Sequence, residues 1–176
     1  MSHTLPDSVE RRRIRVHGVV QGVGFRPFVH RVATREGLGG RVWNDGDGVV
    51  VEVEGPRGGL AAFARALEGE APPLARISSI VSELVPTAGD RVFAVVASHG
   101  GGRSAMVPPD VATCDDCLRE LFDPADRRYR YPFVNCTNCG PRLTIVVRVP
   151  YDRPNTTMAR FPLCADCRRE YEDPTD

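Results

Sequence analysis

Gly18-Val19-Val20-Gln21-Gly22-Val23-Gly24-Phe25-Arg26-Pro27 is the stretch whose reading decides the fold of the first half of the chain. Upstream of it, Ile14 and Val16 alternate with Arg13, Arg15 and His17, the period of a half-buried strand with its apolar residues on one face. Downstream, Phe28, Val29, Val32 and Ala33 share a helical face. Pro27 suits the first helical turn and Gly37 the C-terminal cap. The stretch is therefore predicted to be the end of a strand, a glycine loop and a helix start. Backbone N–H groups from Gln21, Gly22, Val23, Gly24 and Phe25, the positive end of the helix dipole and the Arg26 guanidinium can converge there on one small anion, and a phosphoryl group fits best. Better-known phosphate loops fit poorly. A dinucleotide fingerprint starting at Gly22 would need its third glycine where Pro27 stands, and a Walker loop needs a lysine, which this sequence lacks. A tight turn whose glycines serve backbone geometry alone is the competing reading of the loop.

Length and composition bound the rest. A chain of 176 residues with 41% hydrophobic residues has room for one ordinary domain and a small appendage. All 23 basic residues are arginine and Asp plus Glu also number 23, so no global field attracts nucleic acid or an acidic membrane. The absence of lysine excludes Schiff-base and lysine-nucleophile chemistry. No run of about 18 apolar residues and no signal-peptide core is present, so a cytoplasmic location is the default expectation.

Residues 1–10 read as a disordered lead-in. After the first helix, Arg41-Val42-Trp43-Asn44 begins a strand, Asp45-Gly46-Asp47-Gly48 is a hairpin turn, and Val49 to Glu54 is the return strand. Gly55 to Gly59 breaks the pattern. Leu60, Phe63, Ala64 and Leu67 then predict a second amphipathic helix up to Gly69. Ile77 to Leu84 and Arg91 to Ala97 complete the strands. The order β-α-β-β-α-β, with a fifth strand at the end, predicts an α+β ferredoxin-like sandwich over residues 11–98, an antiparallel sheet with both helices on one face. Residues 99–109 read as a linker. Should valine-rich Val49 to Val53 lie at a sheet edge, self-association would follow.

Residues 110–176 are rich in proline and poor in regular pattern, so they need a staple. Cys114 and Cys117 are followed after 18 residues by Cys136 and Cys139, and after 24 more by Cys164 and Cys167. Two intervening residues let both thiolates of a pair reach one tetrahedral ion, and two such knuckles close a structural zinc site. No histidine lies beyond His99, so a site there is all-cysteine, and four thiolates with no open position serve structure rather than catalysis. Redox dithiols are the competing reading. Six cysteines fall one pair short of two complete sites, which leads us to expect that the natural chain continues.

With both halves in view, the sequence resembles known families. Residues 11–98 are similar to acylphosphatases through Val20-Gln21-Gly22-Val23-Gly24-Phe25-Arg26 and Trp43-Asn44-Asp45-Gly46-Asp47-Gly48-Val49-Val50-Val51-Glu52. Residues 104–176 resemble the zinc-finger region of the HypF carbamoyltransferases through Tyr129-Arg130-Tyr131-Pro132-Phe133-Val134-Asn135-Cys136-Thr137-Asn138-Cys139-Gly140-Pro141-Arg142 and Pro150-Tyr151-Asp152-Arg153-Pro154-Asn155-Thr156-Thr157-Met158. The resemblance implies nickel-iron hydrogenase maturation. In that family carbamoyl phosphate is hydrolysed to carbamate and phosphate, and further domains use ATP to pass the carbamoyl group to the C-terminal cysteine of HypE. Those ATP-using domains are absent from this sequence. The resemblance also makes Arg26 the phosphate-binding arginine and Asn44 the residue that positions the attacking water, with no cofactor for that step.

Blander readings stand beside these. Arg26 can be a surface arginine, Asn44 can merely open the hairpin, and His17 and His30 are expected to be surface residues of the first strand and helix. The basic and aromatic run Arg127 to Tyr131 resembles a single-strand binder. Nearby Asp115, Asp116, Glu120, Asp123 and Asp126 cancel its charge, so we read it as packing of the zinc module. Three functions remain: an acyl phosphate hydrolase, a zinc-stapled docking module with a vestigial cradle, and a nucleic-acid-binding zinc ribbon.

Overall fold

The computed structural model describes residues 8–99, 105–137, 139–140 and 143–175. Strand β1 (Val9–Val19) leads through the glycine loop into helix α1 (Phe25–Arg35). It is followed by β2 (Gly39–Asn44), β3 (Val49–Pro56), α2 (Arg57–Gly69), β4 (Arg76–Val85) and β5 (Phe93–Val95). The five strands form one sheet in the order β4-β1-β3-β2-β5. The ferredoxin-like α+β reading therefore holds. The sheet is mixed rather than antiparallel throughout, because β5 runs parallel to β2. Strand β1 begins at Val9, so the expected lead-in is shorter than residues 1–10 by two residues, and residues 1–7 lie outside those described.

Alternation along the strands sorts the two faces. In the β1–β3 register Ile14 pairs with Val51 and Val16 with Val49, and all four are buried in one cluster with residues of both helices. Helix α1 contributes Phe25, Phe28, Val29, Val32 and Ala33, and α2 contributes Leu60, Phe63, Ala66 and Leu67. Each large apolar side chain enclosed there contributes about 1.5–3 kcal/mol. Ala66 takes the buried place expected for Ala64, which faces solvent. Gly55 to Gly59 is also less of a break than expected, since α2 already starts at Arg57. The valine-rich segment Val49 to Val53 belongs to β3, which lies between β1 and β2 rather than at an edge, so its pairing is complete and the condition set for self-association through it is not met. The edge strands are β4 and β5.

The opposite face carries charge. Arg11, only 5% exposed, meets Glu52 at 2.8 Å, Glu54 at 3.1 Å and Asp90 at 2.6 Å. Glu52 also accepts from Arg13 and Arg41. Burial alone would raise the Glu52 pKa, but hydrogen bonds from Arg11, Arg13 and Arg41 outweigh it and hold the carboxyl at about 2. For Glu54 the N–H groups of Ala88 and Gly89 and the Arg11 guanidinium likewise overcome desolvation and lower the pKa.

The second region has little regular structure. Helix α3 (Asp115–Phe122), three short 3-10 turns and α4 (Ala165–Glu172) are joined by irregular chain. Its small core consists of Cys117, Val134 and Cys139, flanked by Val111, Cys114, Leu121 and Cys136. Tyr129 and Tyr131 are not part of that core, contrary to the packing expected of them, and Tyr131 instead meets the exposed ring of Phe133 edge-on at 5.8 Å. Arg127 and Arg128 both pair with Glu170 of α4, and Arg128 also pairs with Glu120.

Removing Arg11 leaves two buried carboxylates short of their cation. Arg11→Met should lower the unfolding free energy at neutral pH by about 3–5 kcal/mol. The Glu52 contribution is complete above its unfolded value of 4.5 and is lost as the pH falls toward about 2. Urea titrations across that range should therefore show stability falling with pH in the parent, and less steeply in Glu52→Gln. Equal stability of Arg11→Met and parent would refute this account.

Candidate active site and metal centre

The glycine loop is built as expected. Gly22 and Gly24 have φ of 72° and 73°, a region that disfavours side chains, and Gly24 is the N-cap of α1, its carbonyl accepting from the Phe28 N–H at 3.1 Å. Arg26 thus projects from the first turn of α1, beside the loop. Asn44 is the last residue of β2 and is 1% exposed.

The side chain of Gln21 joins these pieces, a role sequence reasoning missed by assigning only its backbone to the anion. Its Nε2 donates to the carbonyls of Asp45 and Gly48, both at 2.7 Å, which ties the loop to the β2–β3 turn. Asp45 in turn closes that turn by accepting from the N–H groups of Asp47 at 2.9 Å and Gly48 at 2.8 Å. Gln21 Oε1 accepts the N–H of Tyr151 at 2.8 Å.

Tyr151 brings the two expected catalytic residues together. Its carbonyl oxygen accepts from Asn44 Nδ2 at 3.1 Å and from Arg26 Nη2 at 3.4 Å. Asp152 pairs with Arg26 Nη1 at 2.8 Å, and the Ser98 hydroxyl accepts from the same nitrogen at 3.4 Å. Asn44 Oδ1 is buried without a partner among the described residues. The zinc-finger loop also reaches the cradle. A Cβ built on Gly24 would lie 3.0 Å from the Thr137 carbonyl oxygen, and one on Gly140 would lie 2.4 Å from that of Gly22. No side chain fits between the two loops. Sequence order carries no signal of this approach, although Pro150 to Met158 already stood out as a motif.

The thiol sulfurs of Cys114, Cys117, Cys136 and Cys139 lie within 4.8 Å of one another. Cys114 precedes α3 as its N-cap and Cys117 lies in its first turn, so a single helical turn presents one pair. Burial, and then the neighbouring sulfurs, push the Cys117 thiol well above its ordinary pKa. A bound divalent cation would reverse that by stabilising thiolates, and four sulfurs at this separation suit tetrahedral zinc.

Cys164 and Cys167 are not part of that cluster. They open α4 as Cys114 and Cys117 open α3, and the two segments repeat in sequence. Cys114-Asp115-Asp116-Cys117-Leu118-Arg119-Glu120 is matched by Cys164-Ala165-Asp166-Cys167-Arg168-Arg169-Glu170, and Asp123-Pro124-Ala125-Asp126 by Asp173-Pro174-Thr175-Asp176. Equivalent hydrogen bonds recur, with Leu118 N–H donating to the Cys114 carbonyl and Arg168 N–H to that of Cys164, both at 2.9 Å. Aligning the chain with itself would have exposed this repeat.

Comparison with known proteins agrees with both halves. Residues 12–95 match the acylphosphatase family model, and residues 113–146 match the HypF finger. Carbamoyltransferase HypF of Rhizobium leguminosarum bv. viciae is 51% identical over 160 residues, covering 90% of this chain and 21% of that protein. An acylphosphatase of Synechococcus sp. (strain RCC307) is 40% identical over 94 residues, covering 53% of this chain and 80% of that protein. The crystal structure of full-length HypF in its phosphate- and nucleotide-bound form superposes with a TM-score of 0.90 at 45% identity, covering 99% of this chain and 23% of that one. The chain thus spans about a fifth of the length of the HypF relatives it matches. Residues 12–95 belong to the acylphosphatase family, and by joining that domain to a HypF finger the chain corresponds to the N-terminal part of the HypF carbamoyltransferases.

Proposed function

We propose that the chain hydrolyses carbamoyl phosphate to carbamate and phosphate, as the first step of a carbamoyl transfer in nickel-iron hydrogenase maturation. The observation that carries this is the convergence of Arg26 and Asn44 on one backbone oxygen beside the glycine loop at the start of α1. Phosphoryl transfer calls mainly for positioning and charge stabilisation. Arg26 and the N–H groups of Gln21 to Phe25 hold the phosphoryl oxygens. Asn44 Oδ1 accepts a hydrogen bond from a water, turning a lone pair of that water toward phosphorus. The water oxygen bonds to phosphorus as the bond from phosphorus to the acyl oxygen breaks, carbamate leaves with that electron pair, and one proton of the water passes to a phosphoryl oxygen, so that dihydrogen phosphate is formed. Carbamate is already a good leaving group, so the step needs neither a metal nor a strong base.

In this reading the later ATP-dependent transfer to the C-terminal cysteine of HypE belongs to parts of the HypF proteins outside this chain. The setting is the cytoplasm, where paired cysteines stay reduced. Zinc bound by Cys114, Cys117, Cys136 and Cys139 holds the second region together. The internal repeat supports Cys164 and Cys167 as half of a second, equivalent metal site. A docking module with a silent cradle is the alternative.

Phosphate release from carbamoyl phosphate should be measurable with this chain and fall at least ~100-fold in Arg26→Ala and in Asn44→Ala. A folded parent without turnover would favour the docking reading. The purified protein should carry zinc, and chelation should abolish protection of amide hydrogens in residues 110–140 while β1 to β5 stay protected. Retention of full protection in the metal-free protein would remove the structural role of zinc.

A further inference from the structure

We infer that Tyr151 and Asp152, which lie in the second region, are positioning residues of the hydrolytic site, so that this site is shared between the acylphosphatase domain and the zinc-finger region. The inference rests on the reading given under Proposed function and adds residues to it.

Donor and acceptor chemistry limits which way each amide can face. A backbone carbonyl can only accept hydrogen bonds. Two carbonyls, those of Asp45 and Gly48, face Gln21 Nε2, so Gln21 Oε1 must point the other way, where it takes the Tyr151 N–H. That bond helps to place the next carbonyl, that of Tyr151, against Asn44. The Asn44 amide is then oriented in turn, with Nδ2 toward Tyr151 and Oδ1 left buried with no partner among the described residues. Orientation is the chemical point. An Oδ1 facing the water accepts one of its protons and leaves a lone pair free for phosphorus, whereas an Nδ2 in the same place would occupy that lone pair. Because Asn44 adjoins the turn that Gln21 holds, the path from Asp45 through Gln21 and Tyr151 returns to its start as a closed ring. Pro150 is fixed from the other side by Asn155 Nδ2, which donates to its carbonyl at 2.7 Å.

Arg26 is held by the same segment. A guanidinium on the first turn of a helix has many rotamers, and a phosphoryl site needs one of them. Asp152 on Nη1, with the Tyr151 carbonyl on Nη2 and Ser98 on Nη1, selects it. Arg26 and Asp152 are both partly buried, with side-chain exposures of 23% and 18%, so solvent screens the pair less than a fully exposed ion pair. The guanidinium carries five N–H donors, so these three contacts leave donors for phosphoryl oxygens. An opposing view makes Asp152 a plug that competes with substrate for Arg26. The two views predict opposite signs.

The test uses the whole 176-residue chain, with Asp152→Ala and Asp152→Asn compared with the parent by carbamoyl phosphate turnover and, independently, by calorimetric binding of inorganic phosphate. Asp152→Ala should lower kcat/KM about 10- to 100-fold and weaken phosphate binding. Asp152→Asn should recover part of both, because its carboxamide oxygen still accepts from Arg26. Thermal unfolding and zinc content should match the parent, separating positioning from a loss of structure. Unchanged or faster turnover, or tighter phosphate binding, in Asp152→Ala would overturn the inference while leaving a hydrolase abolished by Arg26→Ala intact. If the parent shows no turnover, the Proposed function fails and phosphate binding decides alone. A parent that binds no phosphate, or an Asp152→Ala that binds it equally well, overturns the inference.

Discussion

A single buried amide organises this molecule. Gln21 is 1% exposed and makes all three of its short hydrogen bonds to main-chain groups of other segments. Unmade, those bonds would leave polar groups stranded in the interior at about 1–3 kcal/mol each. The amide therefore dictates where the β2–β3 turn lies relative to the glycine loop and where the Tyr151 peptide can enter. Asn44 adjoins Asp45 and Asp152 adjoins Tyr151, both of which Gln21 touches, and Arg26 stands in the first turn of the helix that the same loop leads into.

The two halves achieve order by different means. The first has a sheet with a valine face packed under two helices and a second face crossed by arginine and glutamate. The second half encloses only a small core around Cys117, Val134 and Cys139, where four sulfurs meet at one helical turn. Their junction is polar. Thr137 and Gly140 lie against the glycine loop, and the segment before the second short turn places the Tyr151 carbonyl on Asn44 and the Asp152 carboxylate on Arg26. Such a junction transmits position rather than much apolar stabilisation.

Physical reasons separate the features legible in the sequence from those that were not. The strand, loop and helix around Gln21 were legible because glycine, proline and apolar period act over a few residues. The three cysteine knuckles were legible because two residues between thiols is a local geometric requirement, whereas which two knuckles meet was not, since that depends on how distant segments are placed. Arg11 was not, since alternation of arginine with apolar residues looks the same whether the charged face meets water or buried carboxylates. Ala64 and Ala66 were exchanged because alanine weakly marks a face, and β5 ran parallel because its direction depends on the chain's route from β4.

By itself the sequence determined most of the elements, their order and the three Cys-x-x-Cys knuckles, all consequences of short-range backbone and side-chain chemistry. Only the tertiary structure decided that Tyr151 and Asp152 stand on Arg26 and Asn44. Those residues are 125 and 107 positions apart in the two hydrogen bonds that Tyr151 accepts from them. Contacts across such separations depend on how the sheet register, the turn at Asp45 and the four-cysteine cluster place whole segments in space, and no local pattern of residue types encodes that placement.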